Sequence, residues 1–146
     1  MMLLLVIVGS LLTVFESVQR TQMFTQERSQ TLDDMRVALS RITKEARQAS
    51  SVAPTSTASK LDLQTYVNGV ATQVVYEAAG STLTRTAGGS AAPILSNLNS
   101  TVVFTYAPAV TQTQVVTITL NVHPVRRPDT VVSLTSEVRL RNQGTS

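Results

Sequence analysis

The chain has 146 residues, which is enough for one domain with a modest core. Charged residues make up 14% and aromatic residues 4%, with no tryptophan, so an aromatic platform for sugars or nucleic acids is not expected. The net charge of +3 predicts a solvated surface of slight positive bias rather than a nucleic-acid footprint. Cysteine is absent, which excludes disulfides, thiolate metal sites and cysteine nucleophiles.

The first fifteen residues are almost entirely apolar. They read MMLLLVIVGSLLTVF, and the first charge is Glu16. Crossing about 30 Å of hydrocarbon takes about 20 apolar residues, so this run is slightly short unless neighbours such as Val18 extend it. A helix that is apolar on all sides needs lipid or other apolar helices around it. We therefore expect residues 1–18 to be a membrane anchor or the core of a helix bundle. A cleaved secretory signal and a buried core helix are the alternatives.

Several residues of this run are predicted to mediate anchoring and assembly. Gly9 and Ser10 are the candidates for close helix–helix approach, because small side chains let two backbones come together in lipid. The predicted anchor and assembly residues are Leu4, Val6, Val8, Gly9, Leu12 and Phe15.

The predicted helix continues well beyond the apolar run. After Phe15 neither glycine nor proline occurs before Pro54, so nothing in the sequence breaks a helix there. Residues 19–50 form its amphipathic half, and fifty helical residues would make a rod of about 75 Å. That length predicts an architectural role.

An apolar stripe with 3-4-3-4-3 spacing runs from Leu32 to Ala49 along this amphipathic half, and Ala38 flanks it. The predicted helix–sheet packing residues are Leu32, Met35, Leu39, Ile42 and Ala46. Arg41, Lys44 and Glu45 are expected to point mostly away from the stripe. A two-stranded coiled coil is the alternative reading of this pattern.

The rest of the chain is predicted to be rich in β-strands. Residues 51–59 are the predicted linker, and residues 60–142 the predicted antiparallel β domain, because the hydrophobic period changes from 3.6 to 2. A polar tail, 143–146, follows. Asn68-Gly69 predicts a hairpin turn. The fold class is therefore α+β, with one long helix packed on one antiparallel sheet.

Two loops are predicted to be presented at the surface of the β domain. Residues 87–93 are expected to be a flexible loop, and residues 123–129 a turn leading to a last strand, 130–140. His123, the only histidine, is expected to be an exposed loop residue rather than a base or ligand. Arg126-Arg127 either keeps this turn soluble or contacts phosphates or carboxylates of a partner.

No arrangement of residues predicts an enzyme. The sequence has no Gly-x-Ser-x-Gly motif, no phosphate-binding glycine motif and no calcium-loop spacing, so no cofactor, metal or small-molecule substrate is expected. Asp33 and Asp34 point about 100° apart on a helix, and the expected role is solvation or pairing with Arg36.

Three segments resemble the type IV pilin-like superfamily, most closely the J-type pseudopilin or PilW-like minor pilin group. They are Ser17-Val-Gln-Arg-Thr, the helical stretch from Leu32 to Ala49, and the ending from Val132 to Asn142. The family carries a basic leader, a glycine at the cleavage point and a glutamate shortly after it. Residues 1–15 contain no acid, and Glu16 lies too deep to be that glutamate. Either the leader and glutamate lie upstream of Met1, which we expect, or the chain is a degenerate member of the family.

The resemblance implies a structural subunit of a pilus, type II secretion or competence filament. Its partners would be other pilins or pseudopilins, contacted through the N-terminal helix, and the membrane, with secreted cargo or DNA implied less strongly. The chain would cross the cytoplasmic membrane once, with its β domain extracytoplasmic. It would then lie in a periplasmic or cell-surface filament. The alternative is a single-pass anchored binding domain, an adhesin or sensor, that does not polymerise.

Overall fold

The computed structural model describes the backbone of residues 2–140 and the side chains of residues 16–140. Within that range one α-helix is followed by eight β-strands, all paired antiparallel. The helix packs on the strands, so the predicted α+β class is confirmed. The prediction of one sheet is wrong, because the strands form two sheets.

The helix, α1, runs from Met2 to Gln48, a length of about 70 Å at about 1.5 Å per residue. Its final turn tightens where the Ala49 N–H donates to the Ala46 carbonyl at 3.2 Å. The Ser50 N–H then donates to the Gln64 carbonyl at 2.8 Å, which takes the chain out of the helix and onto the first sheet. The helix therefore ends two residues before the predicted bound.

The first sheet has five strands in chain order. They are β1 (Ser51–Val52), β2 (Lys60–Val67), β3 (Val70–Ala79), β4 (Thr82–Ala87) and β5 (Ser90–Leu95). Asn68 and Gly69 make the predicted hairpin turn between β2 and β3, with φ of 52° and 80°, as a type I′ turn requires.

The second sheet has three strands in the order β6, β7, β8. They are β6 (Phe104–Ala107), β7 (Val115–Val122) and β8 (Val132–Arg139), and a short 3₁₀ turn, Val110–Gln112, joins the first two. The last strand is shorter than the predicted 130–140. Leu98 bridges to Val122 between the sheets, and β6 pairs with β7 instead of β5. The alternation along a strand predicts its two faces but not its neighbour, which is why two sheets were not foreseen.

Two predicted irregular segments contain regular structure. Residues 51–59 are not a plain linker, because β1 pairs with β2 and Thr57 bridges to Lys60. Residues 87–93 are not a flexible loop. Gly88 and Gly89, with φ of 56° and 80°, form a second tight hairpin turn, and β5 begins at Ser90. Pro93 is tolerated in β5 because this is an edge strand.

The core lies between the C-terminal half of α1 and the inner faces of both sheets. The helix contributes Met35, Ala38, Leu39, Ile42, Ala46 and Ala49 to it. From the strands come large side chains that are fully or almost fully buried, including Leu61, Leu63, Tyr76, Leu83, Phe104, Ile118 and Leu120. The helix contacts β8 most extensively, and also β2, β5 and β7. Its apolar stripe is therefore covered by the chain's own strands and is not free to form the alternative coiled coil.

Within the described part of the chain, no helix combines the length and apolar character needed to cross a membrane. The six predicted anchor and assembly residues, Leu4, Val6, Val8, Gly9, Leu12 and Phe15, lie outside the residues whose side chains are described.

Candidate functional site

The helix is much longer than the part of it that packs in the core. Met35 is fully buried, and Leu32 packs at the margin of the core. From residue 16 to residue 26 every side chain is exposed, including Val18 and Met23 at about half of their surface (48% and 50%). We call residues 2–23 the N-terminal arm. At about 1.5 Å per residue its length is about 33 Å.

The five residues predicted to pack between helix and sheet lie at the core. Met35, Leu39, Ile42 and Ala46 are buried, and Leu32 is partly buried. Ala49, the last member of the predicted stripe, and Ala38, which flanks it, are buried as well. Their small side chains let the helix backbone lie close to the strands.

The turn at residues 123–129, here called the tip loop, contacts the helix just below the N-terminal arm. The Arg126 backbone N–H donates to Glu27 Oε1 at 2.7 Å. The guanidinium carbon of Arg127 lies 3.8 Å from the centroid of the Phe24 ring, a cation–π contact. Both contacts join residues about a hundred positions apart in sequence. The arginine pair therefore makes an intramolecular contact, which the sequence did not indicate.

His123 positions the start of the tip loop. Its Nδ1 lies 3.0 Å from the Thr130 carbonyl oxygen, and its Nε2 lies 2.6 Å from Asn99 Oδ1. The side chain is partly buried rather than fully exposed, and it links both ends of the loop to the segment that connects the two sheets. The imidazole of His123 therefore fixes the two ends of the tip loop relative to each other.

A buried polar cluster, the Glu45 cluster, joins α1 to the first sheet. Arg85 Nη2 and Nε donate to Glu45 Oε1 at 2.8 and 3.1 Å, and Nε is also 3.0 Å from Oε2. The Tyr76 hydroxyl donates to Oε2 at 2.5 Å. The side chains of Glu45 and Arg85 are 15% and 13% exposed. The expectation that Glu45 points mostly away from the apolar stripe is therefore wrong.

Burial and hydrogen bonding shift two ionisable groups in this cluster. Burial, followed by the hydrogen bond to Glu45, raises the pKa of Tyr76 well above its ordinary value. The hydrogen bond to Glu45 raises the pKa of Arg85. The raised pKa values keep the Arg85 guanidinium charged and the Tyr76 phenol neutral, which suits a structural connection better than proton transfer.

A second polar cluster lies on the opposite face of β2. Asp62 is only 4% exposed and accepts hydrogen bonds from Gln73 Nε2 at 2.9 and 3.0 Å and from Thr55 Oγ1 at 3.1 Å. Its backbone N–H donates to Ser56 Oγ at 3.0 Å. These bonds hold residues 53–58 against the sheet.

Asp33 pairs with Arg36 at 3.0 Å, one of the two roles expected for the acid pair. Among the described side chains, no group of three His, Cys, Asp or Glu residues converges as a metal site would require. Every buried side-chain polar atom of the described residues has a hydrogen-bond partner. The arrangement therefore connects the helix, the two sheets and the tip loop, and it leaves the helix side chains of residues 16–26 exposed.

No family model, no curated protein and no solved structure matches this chain.

Proposed function

We propose that this protein is a structural subunit of the minor pilin or pseudopilin kind, anchored in a membrane by its N-terminal segment and assembled with other subunits through that segment. The observation that carries the proposal is that α1 is longer than its core segment: it begins at Met2, and its side chains from residue 16 to residue 26 are exposed.

The free energy of leaving this arm in water is prohibitive. Twelve of the first fifteen residues are Met, Leu, Val, Ile or Phe. Burying each such side chain contributes about 1.5–3 kcal/mol, so the run is worth about 18–36 kcal/mol when covered. A whole domain is stable by only about 5–15 kcal/mol. In the proposed assembly, lipid or the apolar helices of other subunits cover this run.

Rigidity favours assembly over simple tethering. The helix runs without interruption from Met2 into the core, and the tip loop contacts it at Phe24 and Glu27. The orientation of the β domain relative to the arm is thereby set. A binding domain that acts alone needs only a flexible tether, whereas subunits stacked by their helices need a fixed angle between helix and domain.

A single-pass anchored binding domain that does not polymerise is the second candidate. It is favoured by an open cleft between the helix at residues 23–37, the end of β5 and the start of the tip loop. Polar side chains such as Gln26, Gln30 and Asp34 line its helical wall. In this alternative the cleft would receive a ligand, and the arm would contact lipid only.

Cysteine cross-linking distinguishes the two, since the chain has no native cysteine. We would place single cysteines at Val8 and Leu12 in the full chain, produced in its native cell, and oxidise the membranes. Disulfide-linked dimers, or adducts with other subunits carrying a cysteine at the matching position, are expected at these two positions. Thr101→Cys, at an exposed site on the β domain, is the control and should stay monomeric.

If the variants with a cysteine at Val8 or Leu12 were membrane-bound but formed no cross-link, the assembly proposal would be overturned and the anchored binding domain supported. Chain that fractionates entirely as soluble monomer would overturn both.

A further inference from the structure

The two sheets of the described chain end in four edge strands, and three of these are protected against the addition of a further strand. The edge strand β1 has only two residues. Strand β5 is interrupted by Pro93 and by a register shift in its pairing with β4. At β6, the N–H groups of Val103 and Phe104 donate to the Ala58 carbonyl at 2.8 and 2.9 Å, so the chain around Ala58 covers that edge. Short, interrupted or covered edges are the usual protection against unwanted strand pairing.

The fourth edge strand, β8, has none of these protections. Its eight residues, Val132–Arg139, pair with β7 in one unbroken register and include no proline. The positions that face the helix, such as Leu134 and Ser136, carry no charge that would repel an added strand. Its two charged residues, Glu137 and Arg139, have opposite signs and lie near one end. This edge is therefore long, regular and open.

The hydrogen bonds of β7 show which backbone groups of β8 face outward. The Leu140 N–H donates to the Gln114 carbonyl at 3.0 Å, and hydrogen-bonded pairs alternate with non-hydrogen-bonded pairs from there. Thr119 agrees with this count, because its N–H donates to the Val103 carbonyl at 2.8 Å, on the side away from β8. The residues whose N–H and C=O groups point away from β7 are therefore Ser133, Thr135, Glu137 and Arg139. We call these four residues the β8 edge.

None of the four residues of the β8 edge has a backbone hydrogen bond to any other part of the described chain. All four side chains are exposed as well. Four N–H donors and four C=O acceptors thus alternate along one line at the surface, about 20 Å long at about 3.4 Å per residue.

A groove separates the β8 edge from the helix. Its sheet wall is formed by Leu134, Thr135 and Ser136. Its helical wall is formed by Arg36, Leu39, Ser40, Thr43, Lys44, Arg47 and Gln48. This part of the helix spans about 18 Å at about 1.5 Å per residue. The groove is therefore as long as about six residues of extended chain.

The chemistry of the groove indicates what kind of chain would fill it. Backbone donors and acceptors that alternate along an edge are matched by another β-strand. Arg36, Lys44 and Arg47 line the groove, and there is no acid among the described residues that line it. Asp33 pairs with Arg36, but that pair is exposed and so weakly held. A strand with acidic side chains facing the groove complements this wall.

A second copy of this chain does not supply such a strand. Pairing β8 with β8 of another copy would bring two sets of like charge, from Arg36, Lys44 and Arg47, close together. Strand β5 of another copy, Ser90–Leu95, contains no acid. The strand that complements the groove therefore belongs to a different protein.

We propose that the β8 edge is a docking site for an extended, acidic segment of another protein. The segment adds a fourth strand to the second sheet, antiparallel to β8 like every other pair in the two sheets. Main-chain hydrogen bonds supply the affinity, and acidic side chains in the groove supply the specificity. The site lies on β8 and the C-terminal half of α1, so it does not depend on the proposed anchoring.

Fluorescence anisotropy with a labelled seven-residue peptide tests the inference on the full chain in neutral detergent. The peptide alternates threonine with glutamate and is blocked at both ends. Its glutamates face the groove, and its threonines lie opposite Ser133, Thr135 and Glu137 on the outer face. Saturable binding is expected, and replacing each glutamate with lysine should weaken it about tenfold or more. Equal binding of the two peptides would show that the partner is not acidic and would overturn the proposal.

N-methylation of the peptide tests the main-chain hydrogen bonds. In the proposed pairing the threonine N–H groups point to β8, and the glutamate N–H groups point to solvent. Methylating the threonine nitrogens should therefore weaken binding about tenfold or more. Methylating the glutamate nitrogens keeps the same composition and is the matched control, expected to bind within about twofold of the parent peptide. If the two methylated peptides bound equally, strand addition would be wrong.

A proline on β8 tests the same contact from the side of the protein. Thr135→Pro removes a donor of the β8 edge without removing a hydrogen bond to β7, and should weaken peptide binding about tenfold or more. Thr135→Val keeps the N–H and should bind like the parent. Circular dichroism checks that both variants are folded.

Hydrogen exchange in the parent chain decides the question if Thr135→Pro does not fold. The amide protons of Thr135 and Glu137 should exchange rapidly in the free chain and slowly with saturating peptide. Exchange that is unchanged by the peptide would overturn the proposal.

The cations of the groove have their own test. Lys44→Gln/Arg47→Gln should reduce the preference for the glutamate peptide over the lysine peptide about fivefold. Arg20→Gln/Arg28→Gln removes the same charge from exposed positions outside the groove and should retain the preference. An equal loss in both variants would show that only net charge matters and would refute the groove.

Sedimentation of the parent chain without peptide tests a second copy as the occupant. Dimers that form with rising concentration and are abolished by Thr135→Pro would assign the β8 edge to a second copy and contradict the proposal. Chain that cross-links at Val8 but binds no peptide would overturn this inference and leave the proposed function standing.

Discussion

The Glu45 cluster gives the sharpest test of how the helix is held on the first sheet. Replacing Glu45 with Gln keeps the side-chain volume but removes the charge that Arg85 faces, 13% exposed, between helix and strands. Breaking one partner of a buried ion pair costs about 3–5 kcal/mol, because the remaining charge is left without compensation. Allowing for the residual solvent contact of both groups, we expect a loss of about 3 kcal/mol.

In a chain of this size, 1 kcal/mol shifts the melting temperature by about 4 °C, so Glu45→Gln should melt about 12 °C below the parent. The measurement is thermal unfolding of the full chain followed by circular dichroism. Glu77→Gln removes the same charge from an exposed position on β3 and is the matched control, expected within about 2 °C of the parent.

The double variant Glu45→Gln/Arg85→Met removes the charge on both sides. It should recover part of the loss, because the buried guanidinium that Glu45→Gln leaves uncompensated is gone. If Glu45→Gln melted with the control, the Glu45 cluster would contribute nothing to holding the helix, and the argument from burial would be refuted.

Three further outcomes are expected from the packing and ionisation described above. Leu39→Asp, which puts a charge between helix and sheets, should unfold the β domain, whereas Val37→Asp, at a side chain 71% exposed, should leave the melting temperature nearly unchanged. Removing Arg127 by Arg127→Ala should increase amide hydrogen exchange around Phe24 without changing global stability by more than about 1 kcal/mol; unchanged exchange would mean that the tip loop does not hold the helix. The raised pKa of Tyr76 stabilises the fold fully below its unfolded value of 10.0 and progressively less above it, so stability should fall as pH rises past about 10, and a Tyr76→Phe variant should show a shallower fall over the same range.

The sequence predicts the long helix and its apolar stripe because both depend on local periodicity. Met35, Leu39 and Ile42 repeat at helical spacing, and no glycine or proline interrupts them. The Asn68-Gly69 turn is equally local, since a type I′ turn needs positive φ at both positions.

The partners of the strands could not be predicted in this way. The sequence Gly88-Gly89 is compatible with a flexible loop and with a type I′ turn, and the presence of β4 beside it decides between them. Likewise, the change of sheet between β5 and β6 depends on long-range pairing of β6 with β7.

The sequence contains a signal for the Glu45 cluster, but it is ambiguous. Ala38, Ile42, Glu45 and Ala49 follow the same helical spacing as the apolar stripe, so Glu45 occupies its edge. Arg85 lies two residues after the buried Leu83 on β4, so the two side chains share the face that points to the core. A buried cation needs a carboxylate, and this requirement could have paired the two residues across forty positions.

Pro93 on the edge strand β5 has a consequence for any arrangement that crowds copies of this chain together. Hydrogen-bonded and non-hydrogen-bonded pairs alternate along an antiparallel ladder, and counting from the turn makes Arg85 and Ala92 a hydrogen-bonded pair. The next pair, Thr84 and Pro93, is therefore not hydrogen-bonded, and the Pro93 nitrogen is directed to the open edge of the sheet. A proline there leaves the sheet intact and removes a donor that an approaching strand would need. A strand that approaches this edge of β5 therefore lacks one of the backbone hydrogen bonds that would extend the sheet.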